Sequence, residues 1–165
     1  AVRGTLQASR QIFFVATGGF DSHDDQAQDQ PGLLANVSAC LDAFYRATVE
    51  MGIAQNVTAF TQSDFGRTLT SSGDGTDHAG GGVQLVVGGA VHGKSVYGSY
   101  PVLRLGATLA ADGADDVGGG RFIPTTSSDQ YAATLARWFG VLDADLARIA
   151  PGIDNFTQRD LGFMS

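Results

Sequence analysis

The chain has 165 residues, 43% hydrophobic and 16% charged, a balance that excludes a disordered or coiled-coil protein and fits one domain, residues 1–165, around one core. Its net charge of −7 provides no electrostatic footprint for a phosphate backbone, so nucleic acid is not an expected partner. No apolar run reaches the roughly 20 residues of a membrane span.

Glycine accounts for 23 residues, about twice the usual share, which points to a loop-rich α/β protein with tight turns. The acidic residues are nearly all aspartate, Glu50 being the single glutamate. Short carboxylates suit turns, caps and metal sites, which places the acid in loops. Cys40 is the only cysteine, so no internal disulfide forms; its place in an apolar helical pattern predicts a small buried hydrophobe.

In chain order, Gln11 to Thr17 reads as a short apolar strand followed by Gly18-Gly19, the pattern of a buried strand in a parallel sheet. A polar loop follows over Asp21 to Gln30. The spacing of Leu33, Leu34, Val37, Leu41, Phe44, Tyr45 and Thr48 predicts a helix from Leu33 to Met51, with Gly52 as its stop. Asn56 to Thr61 is a second strand, and strand, helix and strand together predict a right-handed βαβ unit. Ser71 to Gly82 reads as a Gly/Ser/Asp-rich loop, Val83 to Val87 as a third strand, and Ser95 to Leu105 as a small hairpin.

Residues 106–128 lack apolar periodicity and read as a long surface loop or lid. Ser128 or Asp129 caps a helix that runs through Phe139 to Gly140, and a short helix from Asp143 to Ile149 ends at Pro151.

In an open α/β sheet, ligands bind beyond the carboxyl ends of strands. Asp21 and His23 follow the first strand, Asp64 the second, and Asp77-His78 precede the third. Carboxylate with neutral imidazole is a donor set that zinc and similar divalent ions accept. The competing reading has Asp21 and Asp64 capping turns while the histidines are solvated. Arg67 either holds an anionic group or pairs with Asp64. The Gly80-Gly81-Gly82 run precedes a strand and is no phosphate loop, and no Gly-x-Ser-x-Gly elbow occurs.

Four blocks of the sequence resemble, in order, one family: Ile12-Phe13-Phe14-Val15-Ala16-Thr17-Gly18-Gly19-Phe20-Asp21-Ser22-His23; Ser63-Asp64-Phe65-Gly66-Arg67-Thr68; Gly75-Thr76-Asp77-His78-Ala79-Gly80-Gly81; and Ile123 through Trp138. The family is bacterial, of unknown function, exported by the twin-arginine route and assigned to the alkaline phosphatase-like superfamily. The resemblance implies a three-layer α/β/α fold with a mostly parallel sheet, of which this chain is the carboxyl-terminal half. It implies a periplasmic or secreted hydrolase of phosphate or sulfate esters that uses divalent metal, zinc first, with calcium or manganese as alternatives.

Asp21, His23 and His78 are similar to ligands of a first ion and Asp64 to a ligand of a second; Arg67, by its charge and place after Asp64, is the expected substrate-binding residue. The pattern departs in two places. Phe65 stands where active members carry a histidine, and Asp21 and His23 are two residues apart rather than four. The nucleophile is expected in the missing amino-terminal half, so that half, another subunit or a second copy of the chain is the expected partner. The alternative is a non-catalytic metal-binding or structural subunit of a larger surface or periplasmic assembly.

Overall fold

The computed structural model describes residues 7–105 and 115–165. Helix α1 (Gln26–Glu50) is its longest element. The helix touches the rest of the protein along a single stripe, Gln26, Gln30, Leu33, Val37, Leu41, Tyr45 and Thr48, one residue every three or four. Beside that stripe Leu34, Phe44 and Val49 stay exposed, so the apolar face is wider than its cover.

The helix begins seven residues before the expected Leu33, because Pro31 and Gly32 read as breakers. What overrides them is tertiary: the Gln26 amide donates to the Asp74 carbonyl at 3.2 Å, and the Thr76 hydroxyl donates to Gln26 Oε1 at 2.7 Å. The polar loop is thus confined to Asp21–Asp25. Cys40 on α1 is exposed, correcting the buried role expected of it.

Among the described residues the expected three-layer α/β/α architecture with a mostly parallel sheet does not form. Two two-stranded antiparallel sheets stand in its place. Strand β1 (Thr58–Phe60) pairs with β4 (Val86–Gly88), Thr58 opposite Gly88 and Phe60 opposite Val86. Strands β2 (Gly66–Ser72) and β3 (Gly75–Ala79) form a hairpin closed by Gly73-Asp74, with Gly73 at φ 72°. Most of the segment expected to be a loop is therefore strand. Among the described residues no right-handed βαβ crossover arises, since Gln11 to Thr17 forms no strand to lie parallel to β1, and the neighbour β1 does have, Val86–Gly88, is antiparallel.

Gln11 to Thr17 is not a strand. A run becomes sheet only when neighbours take up its N–H and C=O groups, and among the described residues none pairs with it. Ile12, Phe13, Phe14 and Val15 are 77, 80, 91 and 89% exposed, so both faces of this apolar run are bare. The run passes α1 across a groove of about 160 Å³ lined by Val15, Val37, Cys40 and Leu41 among others. Ser95 to Leu105 likewise contains no strand. Of the expected lid, residues 106–114 lie outside the described residues; beyond them Asp116 and Phe122 form an isolated bridge.

The core sits at the carboxyl end. Helix α2 (Ser128–Phe139) is capped by Ser127, one residue before the expected Ser128. The Ser127 hydroxyl accepts from the Asp129 amide at 3.1 Å while Gln130 Oε1 accepts from the Ser127 amide at 3.0 Å, a reciprocal capping box. Gly140 ends the helix at φ 99°. The expected short helix divides into a 3₁₀ turn, Asp143–Asp145, and helix α3 (Leu146–Ile149).

Ala133, Leu146, Ala150 and Ile153 are fully buried together. Thr134 ties α2 to the tail: its hydroxyl donates to the Gln130 carbonyl at 2.8 Å and accepts from the Leu161 amide at 2.9 Å. Tyr131 joins this core to β1, stacking edge-on against Phe60 and donating to the Thr61 carbonyl at 3.1 Å. Burial pushes its phenol up to about 12.

The chain exposes 11052 Å², whereas a folded monomer of 17.1 kDa is expected to expose about 7,800 Å². With so small a core, single residues in it carry a large share of stability. Leu146→Ala and Ile153→Ala each lower unfolding free energy by roughly 2–5 kcal/mol in urea titrations, while Leu34→Ala, on the exposed flank of α1, changes it by less than about 0.5 kcal/mol.

Candidate functional site

The hairpin β2–β3 is the platform of the site, and the segment Asp21–Asp25 is laid against it. Gly75 makes the approach possible, since any side chain there would run into the backbone of His23. The Thr76 amide donates to the Ser22 carbonyl at 3.3 Å. Arg67 on β2 then fastens the two together: Nε donates to Thr76 Oγ1 at 2.9 Å, Nη1 to Asp21 Oδ1 at 2.8 Å and Nη2 to the Ser22 carbonyl at 2.6 Å. Nη2 also donates to the Thr76 carbonyl. The guanidinium thus spends its donors on the protein, and its carboxylate partner is Asp21, not Asp64.

Three side chains converge above this platform. His23 Nε2 and His78 Nε2 each lie 2.8 Å from the same oxygen, Asp21 Oδ1. One ligand atom from each of Asp21, His23 and His78 falls within 4.8 Å of the others, a group able to hold a metal ion. Ligands about 2.1 Å from one ion at tetrahedral angles stand about 3.4 Å apart, so small rotations open the cluster to admit an ion. The donor set, two imidazoles and one carboxylate, suits zinc-like ions better than calcium, which takes oxygen alone.

His23 presents its second ring nitrogen, Nδ1, towards Asp77 Oδ1 at 3.6 Å, the side from which a carboxylate orients a ligating imidazole. Asp64, expected as a ligand of a second ion, is exposed at a bend before β2 and is not among the three residues of the converging group. His92 is elsewhere, with Nδ1 at 3.2 Å from the Gly162 carbonyl. Gly75 and Thr76 also shape the site without having been singled out by sequence, and Phe65, noted only as a departure from the family pattern, stacks on His78. A two-residue Gly-Asp turn between the Thr-rich run Thr68-Leu69-Thr70 and Thr76 was the signal for the hairpin that carries them.

The Asp21 carboxyl is held below its ordinary value of 3.8, first by the hydrogen bond with His78, then by that from Arg67 and the charge of both histidines, against opposing desolvation. A depressed carboxyl stabilises the fold above its unfolded value, and that contribution disappears as pH falls through the lower folded value. In carboxyl-carbon NMR titrations of the metal-free chain, Asp21 has its midpoint below 3.8, and His78→Ala moves it upward.

No curated protein and no solved structure matches the chain at a significant level. One family model does, over residues 1–149, and it is described as a protein of unknown function (DUF1501). That match spans most of the sequence and includes every residue of the converging group, and the chain therefore belongs to the DUF1501 family.

Proposed function

We propose that this chain supplies the metal ligands of an exported, metal-dependent hydrolase of phosphate or sulfate esters. The observation that carries the reading is the convergence of Asp21, His23 and His78 from two separate segments onto one point. Zinc is the ion the donors favour, with manganese next. When bound, such an ion stabilises charge on a transferring phosphoryl or sulfuryl group.

The reaction class, the twin-arginine route and a periplasmic or secreted location rest on the likeness of the four sequence blocks to the alkaline phosphatase-like superfamily. In the site, Arg67 adds positive charge beside Asp21. The nucleophile belongs to another part of the assembly. Thr76, on the platform beside Asp21 and Ser22, already accepts from Arg67 and donates to Gln26, which leaves its hydroxyl no freedom to attack.

A second reading, a non-catalytic metal-binding or structural subunit, is favoured by Phe65, which stacks on His78 where active relatives place a histidine. Hydrolysis of aryl phosphate and sulfate esters by a fully assembled protein separates the two. Activity that vanishes with His78→Ala supports the first reading, and metal binding without turnover supports the second.

Elemental analysis of protein purified without chelator should find about one zinc-like ion per chain. His78→Ala and Asp21→Ala should empty the site. Gly75→Ala should weaken zinc binding about tenfold by displacing His23 while the hairpin signal in circular dichroism survives.

The bare faces of Ile12 to Val15 and the excess exposed area support a further polypeptide covering this side of the molecule. In size exclusion with light scattering, the isolated chain should therefore associate rather than run as a 17.1 kDa monomer. A sharp monomer peak would remove this part of the proposal.

A further inference from the structure

The two histidines of the site are held in different ways. His23 has Asp77 behind its Nδ1. His78 has no hydrogen-bond partner on Nδ1 among the described residues. Its ring is gripped by its face instead: Phe65 lies parallel to it, with centroids 3.8 Å apart and planes inclined by 8°. Arg67 stands 5.8 Å from the same phenyl ring, so the residue that fastens Asp21 also borders the ring that fastens His78.

Resting on the metal-site reading above, we propose that Phe65 is a positioning residue that fixes the ring plane of His78, aiming Nε2 at the ion, and does for His78 what Asp77 does for His23. Exposed histidine rings rotate freely about χ2, and a ligand that must first be oriented binds more weakly than one already aimed. A flat aromatic neighbour removes that rotation without drawing on either nitrogen. The stack is also electronically suited to the bound state, because an imidazole that gives its lone pair to a divalent ion gains positive character, and the face of a phenyl ring attracts it.

The position follows from the chain. Phe65 sits at the entry to β2, and Gly66, next along, takes part in the register opposite Ala79, the neighbour of His78. The hairpin pairing that builds the platform therefore also brings the phenyl ring beside the imidazole.

The test compares the full chain with Phe65→Leu and Phe65→Tyr. In metal-free protein, the ring protons of His78 should resonate upfield of those of His92, and Phe65→Leu should abolish the difference while Phe65→Tyr keeps it. Cobalt titration, followed by the visible spectrum of the bound ion, should show affinity falling about tenfold in Phe65→Leu and recovering in Phe65→Tyr. Equal cobalt affinity and an unchanged spectrum in Phe65→Leu overturn the proposal and leave the metal site standing. Absence of cobalt binding by the wild-type chain overturns the metal-site reading itself, and the positioning role with it. If Phe65→Leu fails to fold, the decision passes to the wild-type ring shift and to Phe65→Tyr, where a missing upfield shift or lost cobalt affinity counts against the stack.

Discussion

The grip of Arg67 on Asp21 and Ser22 is the contact on which the rest of the site depends. Two of the three converging ligands lie on a segment with no regular hydrogen bonding of its own, and a free segment of that kind samples many conformations. One guanidinium, reaching from β2, ties that segment to the hairpin through a side chain and a carbonyl at once. Its planar fork suits this task in a way that the point charge of a lysine does not. The neighbouring Gly75 removes the steric obstacle, and Gln26 continues the attachment into α1. The long helix is thereby anchored on the same platform that carries His78.

The carboxyl-terminal part of the molecule was readable because its signals are local. Helix α2 announces itself through the sequence Ser127-Ser128-Asp129-Gln130 at its start and Gly140 at its end, and the structure uses each for the purpose expected, shifted by one residue at the cap. The amino-terminal part was misread for a different reason. Gln11 to Thr17 has every local property of a buried strand, yet strand formation is a property of pairs of segments. Conversely, Thr68 to Asp77 is polar and glycine-rich, and the alternation expected of a half-buried strand is absent from it. The two-residue turn at Gly73-Asp74 and backbone pairing are enough to hold it.

The site shows the same division. The spacing of Asp21 and His23, and the presence of His78 near a strand, can be read directly from residue types. That the three meet depends on the hairpin, on the absence of a side chain at Gly75 and on the reach of Arg67, which are facts of tertiary structure. Asp64, expected as the ligand of a second ion, lies at an exposed bend before β2 and is not one of the three that converge. Residue type located the chemistry, and packing decided which residues share it.

The small share of surface removed from water has a calorimetric consequence. The heat-capacity increment of unfolding arises mainly from apolar groups newly hydrated, at about 12–15 cal/mol/K per residue in well-buried domains. A chain that leaves Phe13, Phe14 and Val15 in water while folded has already hydrated much of what unfolding exposes. Its stability curve is accordingly flatter than that of an ordinary domain of its length, and its melting is broad in temperature as well as in denaturant. A polypeptide laid over Ile12 to Val15 would remove that hydrated surface from the folded state and sharpen the transition.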